Sequence, residues 1–453
     1  MLGSFRTAVQ RARRDPSLYF AALLSEESIL EAFGPARWLW QGWVYTPAVT
    51  VWVFLSQCLS MDHSCRDAVA RLVAWRVARG LRRCSADTGA YCTARDDLPE
   101  EACHQLFRQT GAGLEREAPS EWLWHNRRVR VVDGSTITMP DTAANQAEYP
   151  QLAAQKPGCG FPIARIVVVF SLAVGTVLEA AIGKYAGKQT GENSLLRTLY
   201  DALDRGDVLL FDRYYSGWFD LVLPRARGVD VVVRKHQLRP TDFRTGWRLG
   251  QDDHWVYWPK PPRPRWMSRE SYAALPEGLS VREMRVRVTQ KGFRPKQFVV
   301  VTTLLDAKDY PADEIAELYR RRWQAELHLR SLKTVLQMEH LRCKTPHRVR
   351  NEFFMHLVGY NLIRRVMALA AMEGGRSPWQ VSFKGGLQTI NAFLPMLCSS
   401  ASPDAWCQAL VAAIAAHVVG NRPDRSEPRR VKRRPKPYKW FRMSRAEYKR
   451  RAV

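Results

Sequence analysis

Apolar residues recur at helical spacing in the first part of the chain. The segments DPSLYFAALLSEESILEAF and SCRDAVARLVAWRVARGL both carry this period. Near residue 128 the pattern changes to short apolar runs. The sequence therefore predicts a helical unit over residues 1–125 and a different architecture beyond it.

The segment after residue 128 has the pattern of an α/β sheet. RVRVVDGSTITMP is typical of a strand, and ARIVVVFSLAVGTVLEAAIGKY divides at Gly175 and Thr176 into two runs that predict an antiparallel hairpin. A helix, the strand GDVLLFD, a second helix and the strand GVDVVVR follow. The order β, β-β, α, β, α, β predicts a mixed sheet with helices on its faces.

Residues 236–297 interrupt this order with a segment rich in Pro, Arg and Trp that has no helical period. We expect a β-rich insertion there, after which KQFVVVTTLL resumes the sheet. Pro311 then begins what the pattern predicts to be one long helix. The predicted division is a helical domain over 1–125, an α/β domain over 126–345, a helical region over 346–420 and a basic tail over 421–453.

Charge adds a functional indication, since the chain has a formal net charge of +25 over 453 residues. An excess of this size favours a polyanionic partner, with nucleic acid first and an anionic membrane second. The alternative is a surface that is merely basic and has no polyanionic partner. The tail from Asn421 concentrates the charge, with fourteen Lys or Arg residues against three acids. We expect the helical domain over 1–125 and this tail to bind nucleic acid. Phosphates are the expected contacts of Arg429, Arg430, Lys432, Arg433 and Arg434, unless the tail is simply a solvated terminus.

The cysteines and the most apolar run bear on the cellular compartment and on contact with a membrane. Nine cysteines are scattered without a C-x-x-C pair, which favours a reducing cytosol over a disulfide framework or a thiolate zinc site. The run WVYTPAVTVWVFLSQCLS contains Pro47 and polar residues and is shorter than the ~20 apolar residues of a membrane span. We interpret it as a buried helix and expect no membrane partner.

Three carboxylates form a candidate catalytic set. We expect Asp133 to end the strand VRVVD and Asp212 to end the strand VLLFD, and Glu326 lies on the predicted long helix. Two divalent cations held by carboxylates can cut phosphodiesters, and Mg²⁺ prefers oxygen ligands. Taken singly, each Asp is more typical of a turn or a helix cap, and Asp207 and Asp141 are nearby competitors.

The helix around Glu326 carries a second pattern. On a regular α-helix Tyr319, Arg322, Glu326 and Lys333 fall within an arc of about 60°. Cations beside a metal-binding carboxylate are suited to gripping phosphates. Two alternatives stay open, namely an exposed salt bridge between Glu326 and a neighbouring arginine and a core position for the Tyr319 ring.

The spacing Y-x2-R-x3-E-x6-K at 319, 322, 326 and 333 resembles the signature of DDE transposases of the insertion-sequence-four family. The resemblance extends over roughly residues 85–440. It includes the blocks VDGSTITMPDT, GFPIARIVVVFSLAVGTVLEAAIGKYAGKQTGENSLLRTL and GDVLLFDRYYSGWFDL, in the family's order. One departure is visible, since Tyr214 stands where the family commonly has Gly after Asp-Arg.

The resemblance implies an RNase H-like fold in which Asp133, Asp212 and Glu326 are catalytic and bind two Mg²⁺ ions, for which Mn²⁺ can substitute. It implies a DNA transposase that acts as a homodimer on terminal inverted repeats and joins 3′-hydroxyl ends to target DNA. In such a reaction an extruded base can stack on an aromatic ring. The insertion offers Trp247, Trp255, Trp258 and Trp266, and Trp323 lies beside the signature. Packing within the fold is the alternative for each of these rings.

Two other functions compete with this interpretation. A nuclease with the same fold would cut DNA without joining it. A DNA-binding protein that has lost catalysis would do neither, although all three carboxylates of the candidate set are present.

Overall fold

The computed structural model describes residues 24–40, 43–288, 296–398, 402–420 and 441–451. The five tail residues named above lie outside these ranges. The helices are α1 (Glu26–Phe33), α2 (Pro47–Leu59), α3 (Cys65–Ala78), α4 (Gly89–Asp96), α5 (Glu100–Arg116), α6 (Ala143–Glu148), α7 (Glu192–Arg197), α8 (Trp218–Ala226), α9 (Arg269–Ala273), α10 (Ala312–Arg321), α11 (Trp323–Arg330), α12 (Pro346–Glu373), α13 (Phe383–Phe393), α14 (Pro403–Ala415) and α15 (Arg445–Arg451). The strands are β1 (Val129–Thr138), β2 (Ile163–Ser171), β3 (Val177–Lys184), β4 (Val208–Phe211), β5 (Asp230–Arg234), β6 (Trp247–Gly250), β7 (Asp253–Pro259), β8 (Gly278–Val288) and β9 (Lys296–Thr302).

The strands form one sheet in the order β3-β2-β1-β4-β5-β9-β8-β7-β6. The pairs β1–β4 and β4–β5 are parallel, and the other neighbours are antiparallel. This arrangement confirms the predicted mixed α/β sheet and the hairpin that turns at Gly175. The inserted strands β6, β7 and β8 extend the same sheet, because β9 pairs with β5 on one side and β8 on the other.

Alternation along β1 assigns its side chains to two faces of the sheet. Val129, Val131 and Ile137 belong to a hydrophobic cluster shared with helices from both ends of the chain. Val132 belongs to a second cluster on the opposite face. Successive strand residues point to opposite faces, so odd-numbered residues of β1 face the first cluster and even-numbered residues face the second.

The apolar run near residue 50 is a buried helix, as predicted. Thr46 caps α2 by accepting from the Val49 N–H, Pro47 stands at the first turn, and every residue of α2 is buried. The helix packs against α12, which also covers α5. No helix in the described ranges is long and apolar enough to cross a membrane.

The first hydrophobic cluster bears on the predicted domain division. It joins Leu55 of α2, Val168 of β2, Ile315 of α10 and Leu362 of α12 in one contiguous core. The helical segments before and after the sheet therefore share their core with it. The predicted domain boundaries at residues 125 and 345 therefore stay predictions.

Gly111 marks the place where α5 crosses β3. A methyl group there would lie 2.2 Å from the Val177 carbonyl oxygen and 3.1 Å from Asn361 Nδ2. That amide donates to the Val177 carbonyl (2.9 Å), and Asn361 Oδ1 accepts from the Val177 N–H (2.8 Å). A side chain at 111 must therefore displace backbone or break this pair.

We expect Gly111→Ala to lower the free energy of unfolding by about 1–3 kcal/mol through this overpacking. Gly113→Ala is the matched control on the same helix, since nothing lies within 4 Å of its added methyl group. The control should be neutral or stabilising by up to about 1 kcal/mol. Denaturant titration of both variants measures the difference, and equal effects would contradict the close crossing.

Candidate active site

Parallel pairing of β1 with β4 brings the two aspartates together. The register matches Val129 with Val208 and Val131 with Leu210. The same offset sets Asp133 opposite Asp212, two residues beyond the last pair. β4 ends at Phe211, whereas β1 continues to Thr138 along β2. Asp133 is thus inside its strand, and the expectation that it ends the strand is wrong, because β2 still supplies hydrogen bonds there.

Both aspartates face the same side of the sheet as Glu326. Asp133 follows the odd-numbered residues of β1, whose neighbours belong to the first cluster. On β4, Val208 and Leu210 belong to that cluster, and Asp212 continues their alternation. Helix α11 packs against β1 on this face, burying Ala325 and Leu329 in the same cluster. The fold therefore brings the three predicted carboxylates to one region.

The charges of Glu326 and Asp212 both act on Asp133. The pKa of Asp133 is raised to about 6, chiefly by burial and in smaller part by Glu326 and Asp212, while the Gly134 N–H and the Arg322 charge oppose the shift. Asp133 Oδ1 accepts from the Gly134 N–H (2.9 Å). Mutually repelling carboxylates, one of them largely desolvated, favour a bound positive charge.

Arg322 supplies positive charge within this group. Its Nη2 donates to Glu326 Oε1 at 3.1 Å, and its side chain is only 15% exposed. Burial lowers the pKa of Arg322, but Tyr319, Glu326, Asp212 and Asp133 together hold it above its ordinary value. The guanidinium is the counter-charge of the site, and the salt bridge considered for Glu326 is present.

Tyr319 has a core position next to this arginine. It is 7% exposed, and its ring lies 5.6 Å from that of Phe298. Burial raises the pKa of the Tyr319 hydroxyl to about 12, and Arg322, within hydrogen-bonding reach, opposes the shift. Packing and a polar contact with Arg322 therefore coexist in one side chain.

The predicted long helix is not regular. It is divided at Arg322, where Arg322 N–H bonds to the Tyr319 carbonyl and Ala325 N–H to the Arg322 carbonyl in tight three-residue steps. Residues 331–335 form a π-helical turn closed by the Leu336 N–H and the Ser331 carbonyl (3.0 Å). Tight and wide turns change the rotation per residue along a helix. The prediction that the four signature side chains lie within one arc of about 60° is therefore wrong, because it assumes a regular α-helix. Lys333 pairs with Glu339 at 3.4 Å.

The three carboxylates can be compared with the ligands that a divalent cation requires. Three carboxylates offer the oxygen ligands that hard cations prefer. Among the described residues, however, no three side chains of His, Cys, Asp or Glu converge closely enough to enclose a metal ion. Glu326 instead contacts Arg322. The residues fit such an ion in chemistry and charge, and holding one requires the three carboxylates to move closer together.

The tryptophans separate into exposed and buried groups. Trp323 is 53% exposed beside the site, and Trp247 is 65% exposed with its ring stacked 6.3 Å from that of half-buried Trp255. Trp258 is 6% exposed in the second cluster, and its indole N–H donates to Glu283 Oε1. Trp258 therefore has the packing role weighed as its alternative, because strand alternation turns its ring into the core.

The competing aspartates have other partners. Asp207 accepts from Arg130 Nε at 2.8 Å at the opposite end of β4, and both side chains are buried. Asp141 lies beyond β1 and is exposed, where Gln146 donates to it. Neither belongs to the group around Arg322.

Sequence reasoning missed a group of residues on the other face of β1. Glu192 packs against Gly134, pairs with Arg165 and accepts from the Tyr215 hydroxyl. Both the glycine after Asp133 and the glutamate in TGENSLL stand inside the family-like blocks. Their partners are 20 or more residues away in the chain, so no local pattern pairs them.

Comparison with known proteins supplies the family. Residues 124–362, more than half of the chain, match the sequence model of the family described as "Transposase DDE domain". The chain belongs to the DDE transposase family. The match spans all three carboxylates, and the predicted DNA transposase function is confirmed by this membership.

Individual relatives agree with the assignment. The chain is 29% identical over 360 residues to the transposase InsG for insertion sequence element IS4 of Escherichia coli strain K12, covering 77% of each chain. It is 37% identical over 65 residues to the putative transposase InsL for insertion sequence element IS186A of the same organism, covering 14% of this chain and 18% of that one. The predicted insertion-sequence-four family is confirmed.

A solved structure with overall similarity is a piggyBac transposase synaptic complex with hairpin DNA. The TM-score is 0.42 at 10% sequence identity, covering 92% of this chain and 89% of that chain.

The position of Tyr319 yields a stability test. Tyr319→Phe keeps the ring packing and loses only the hydroxyl, so we expect a cost of about 1 kcal/mol in the free energy of unfolding. Tyr319→Ala removes the ring from the core and should cost about 3–5 kcal/mol. Denaturant unfolding of both variants distinguishes a core ring from a purely DNA-facing one, for which both variants would be as stable as the wild type.

Proposed function

We propose that this transposase binds the terminal inverted repeats of its own element, cuts the DNA at their ends and joins the freed 3′-hydroxyls to target DNA. Asp133, Asp212 and Glu326 are the catalytic carboxylates. The observation that carries this assignment is the register of β1 and β4, which sets the two aspartates side by side beneath α11. Family membership supplies the reaction class.

The strand order provides further support. β1, β2 and β3 form an antiparallel meander, and β4 and β5 add to β1 in parallel. We propose that this half of the sheet is the RNase H-like core and that β6 to β9 extend it as the insertion. The core carries the site, and the insertion is free to contact DNA.

The same three carboxylates would hold two Mg²⁺ ions, or Mn²⁺ in their place. Bound there, such ions supply a polarised phosphodiester and an activated attacking oxygen. The chain's own contribution is charge and orientation. The Gly134 N–H fixes one oxygen of Asp133, and the Arg213 N–H does the same for Asp212.

Arg322 and Tyr319 have a distinct role in this proposal. In the free protein the guanidinium neutralises Glu326, which removes a source of repulsion from the site. When DNA enters, the guanidinium can turn to a phosphate oxygen while the buried Tyr319 ring keeps the helix in place. Arginine suits this exchange, because it stays charged and forms paired hydrogen bonds with phosphate. Lys333, now paired with Glu339, lies about two turns beyond Glu326.

Exposed aromatic rings are the proposed contacts for unpaired bases. Trp323 directly follows Arg322 in the chain, and the stacked pair Trp247–Trp255 offers a second platform on the insertion. Base stacking on such rings contributes about 1–3 kcal/mol per base. The basic tail neutralises phosphates outside this region. The proposed assembly is a homodimer on DNA, acting in the bacterial cytoplasm at the nucleoid.

The first functional test replaces Glu326. We expect Glu326→Gln to lower the rate of end cleavage by at least roughly a hundredfold, since an anionic ligand is lost. Binding to the inverted repeats should stay as in the wild type. Glu317→Gln is the matched control, because Glu317 lies on α10, is 62% exposed and pairs with Arg320. Labelled end DNA measures both cleavage and affinity, and wild-type cleavage by Glu326→Gln would sink the assignment.

DNA ends that are already cut distinguish a transposase from a nuclease with the same fold. A transposase should join these 3′-hydroxyl ends to a target plasmid in the presence of Mg²⁺, because joining uses the same carboxylates as cleavage. Joined products are measured on a gel after protein removal. Cleavage of intact ends without any joined product would instead favour a nuclease with this fold.

A further inference from the structure

Glu192 contacts the backbone next to Asp133. If Gly134 had a methyl group, its carbon would lie 2.5 Å from the Glu192 carboxyl carbon, so the carboxylate would have to leave its present position. Side chains alternate along β1, and Glu192 therefore approaches from the face opposite to Asp133. The Gly134 N–H is the donor to Asp133 Oδ1 at 2.9 Å. Glu192 thus packs against Gly134, and the N–H of Gly134 orients the Asp133 carboxylate.

The same carboxylate is tied to the turn that follows Asp212. Tyr215 donates its hydroxyl to Glu192 Oε2 at 3.2 Å, and its ring is 1% exposed. Tyr215 is the last residue of a short turn, residues 213–215, which Asp212 caps at its start. Its N–H bonds to the Asp212 carbonyl (3.0 Å), while the Asp212 side chain accepts from the Arg213 N–H. Glu192 is thereby connected to both strand-borne carboxylates.

Arg165 holds Glu192 in this position. Its Nη1 lies 3.0 Å from Glu192 Oε1, and the side chains are only 18% and 26% exposed. Arg165 is on β2, opposite Thr136 of β1. Each oxygen of Glu192 therefore has a separate partner, and the carboxylate has a fixed orientation although it begins a short helix.

We propose that Glu192 is a positioning residue of the transposase site. It sets the orientation of Asp133 through Gly134 and that of Asp212 through Tyr215, so that both point to one metal-binding region. The inference rests on the proposed function and deepens it. Groups behind metal ligands commonly change metal affinity or activity by roughly 10–100-fold when removed.

The test measures Mn²⁺ binding to the full chain on its end DNA by electron paramagnetic resonance, separately from cleavage. We expect Glu192→Ala to weaken Mn²⁺ binding roughly tenfold or more and to raise the Mg²⁺ concentration needed for half-maximal cleavage. Affinity for end DNA should be unchanged. Glu192→Gln, which can still accept from Tyr215, should recover part of the loss, a rescue that general destabilisation does not produce.

Tyr215→Phe is the second variant, and it removes one hydroxyl from an intact core. It should weaken Mn²⁺ binding in the same direction, and its effect should be less than additive with that of Glu192→Ala, because the two act through one contact. Should Glu192→Ala fail to fold, Tyr215→Phe alone decides. Glu100→Ala is the matched control, since Glu100 is a partly buried carboxylate paired with Arg350 at 2.7 Å on α12.

The outcomes separate the two proposals. If Glu326→Gln weakens Mn²⁺ binding while folded Glu192→Ala or Tyr215→Phe binds Mn²⁺ like the wild type, the positioning role is overturned and the triad stands. If Glu326→Gln itself binds Mn²⁺ like the wild type, the proposed triad fails. Equal weakening in Glu100→Ala would also overturn the positioning role, because the effect would then be unspecific.

Discussion

Parallel pairing of β1 with β4 is the constraint on which the site depends. One constant offset along these strands matches Val131 with Leu210 and so sets Asp133 beside Asp212. Because side chains alternate, a slip of one residue would turn either carboxylate to the other face. Leu209 and Leu210 are packed in separate buried clusters on opposite faces, so a slip would disrupt the packing of both. Core packing thereby fixes the separation of two polar groups.

The charge balance around these strands explains how a basic chain keeps a cluster of acids stable. Asp133, Asp212 and Glu326 repel one another, and burial raises the pKa of Asp133. Arg322 offsets the repulsion from within, and Arg165 plays the same part for Glu192 on the other face. Each of these arginines neutralises a neighbouring carboxylate in the free protein, and in the proposed function DNA phosphates would later compete for Arg322.

The order of strands, the hairpin and the two aspartates could be predicted, because apolar runs and their polar ends are local signals. The division of the helix at Arg322 could not, since it depends on turns whose period differs from 3.6 residues. Trp258 packs inward because of the sheet it joins. The contact between Glu192 and Gly134 spans 58 positions of the chain, beyond any periodic pattern.

In the proposed function, three distant segments of the chain surround one metal site. Fe²⁺ bound in place of Mg²⁺ can generate hydroxyl radicals that cut nearby backbone. With the full chain on its end DNA, ascorbate and peroxide should yield fragments that end near Asp133, Asp212 and Glu326, and excess Mg²⁺ should suppress all three. Cleavage near only one of these residues, or at sites elsewhere in the chain, would contradict a shared site.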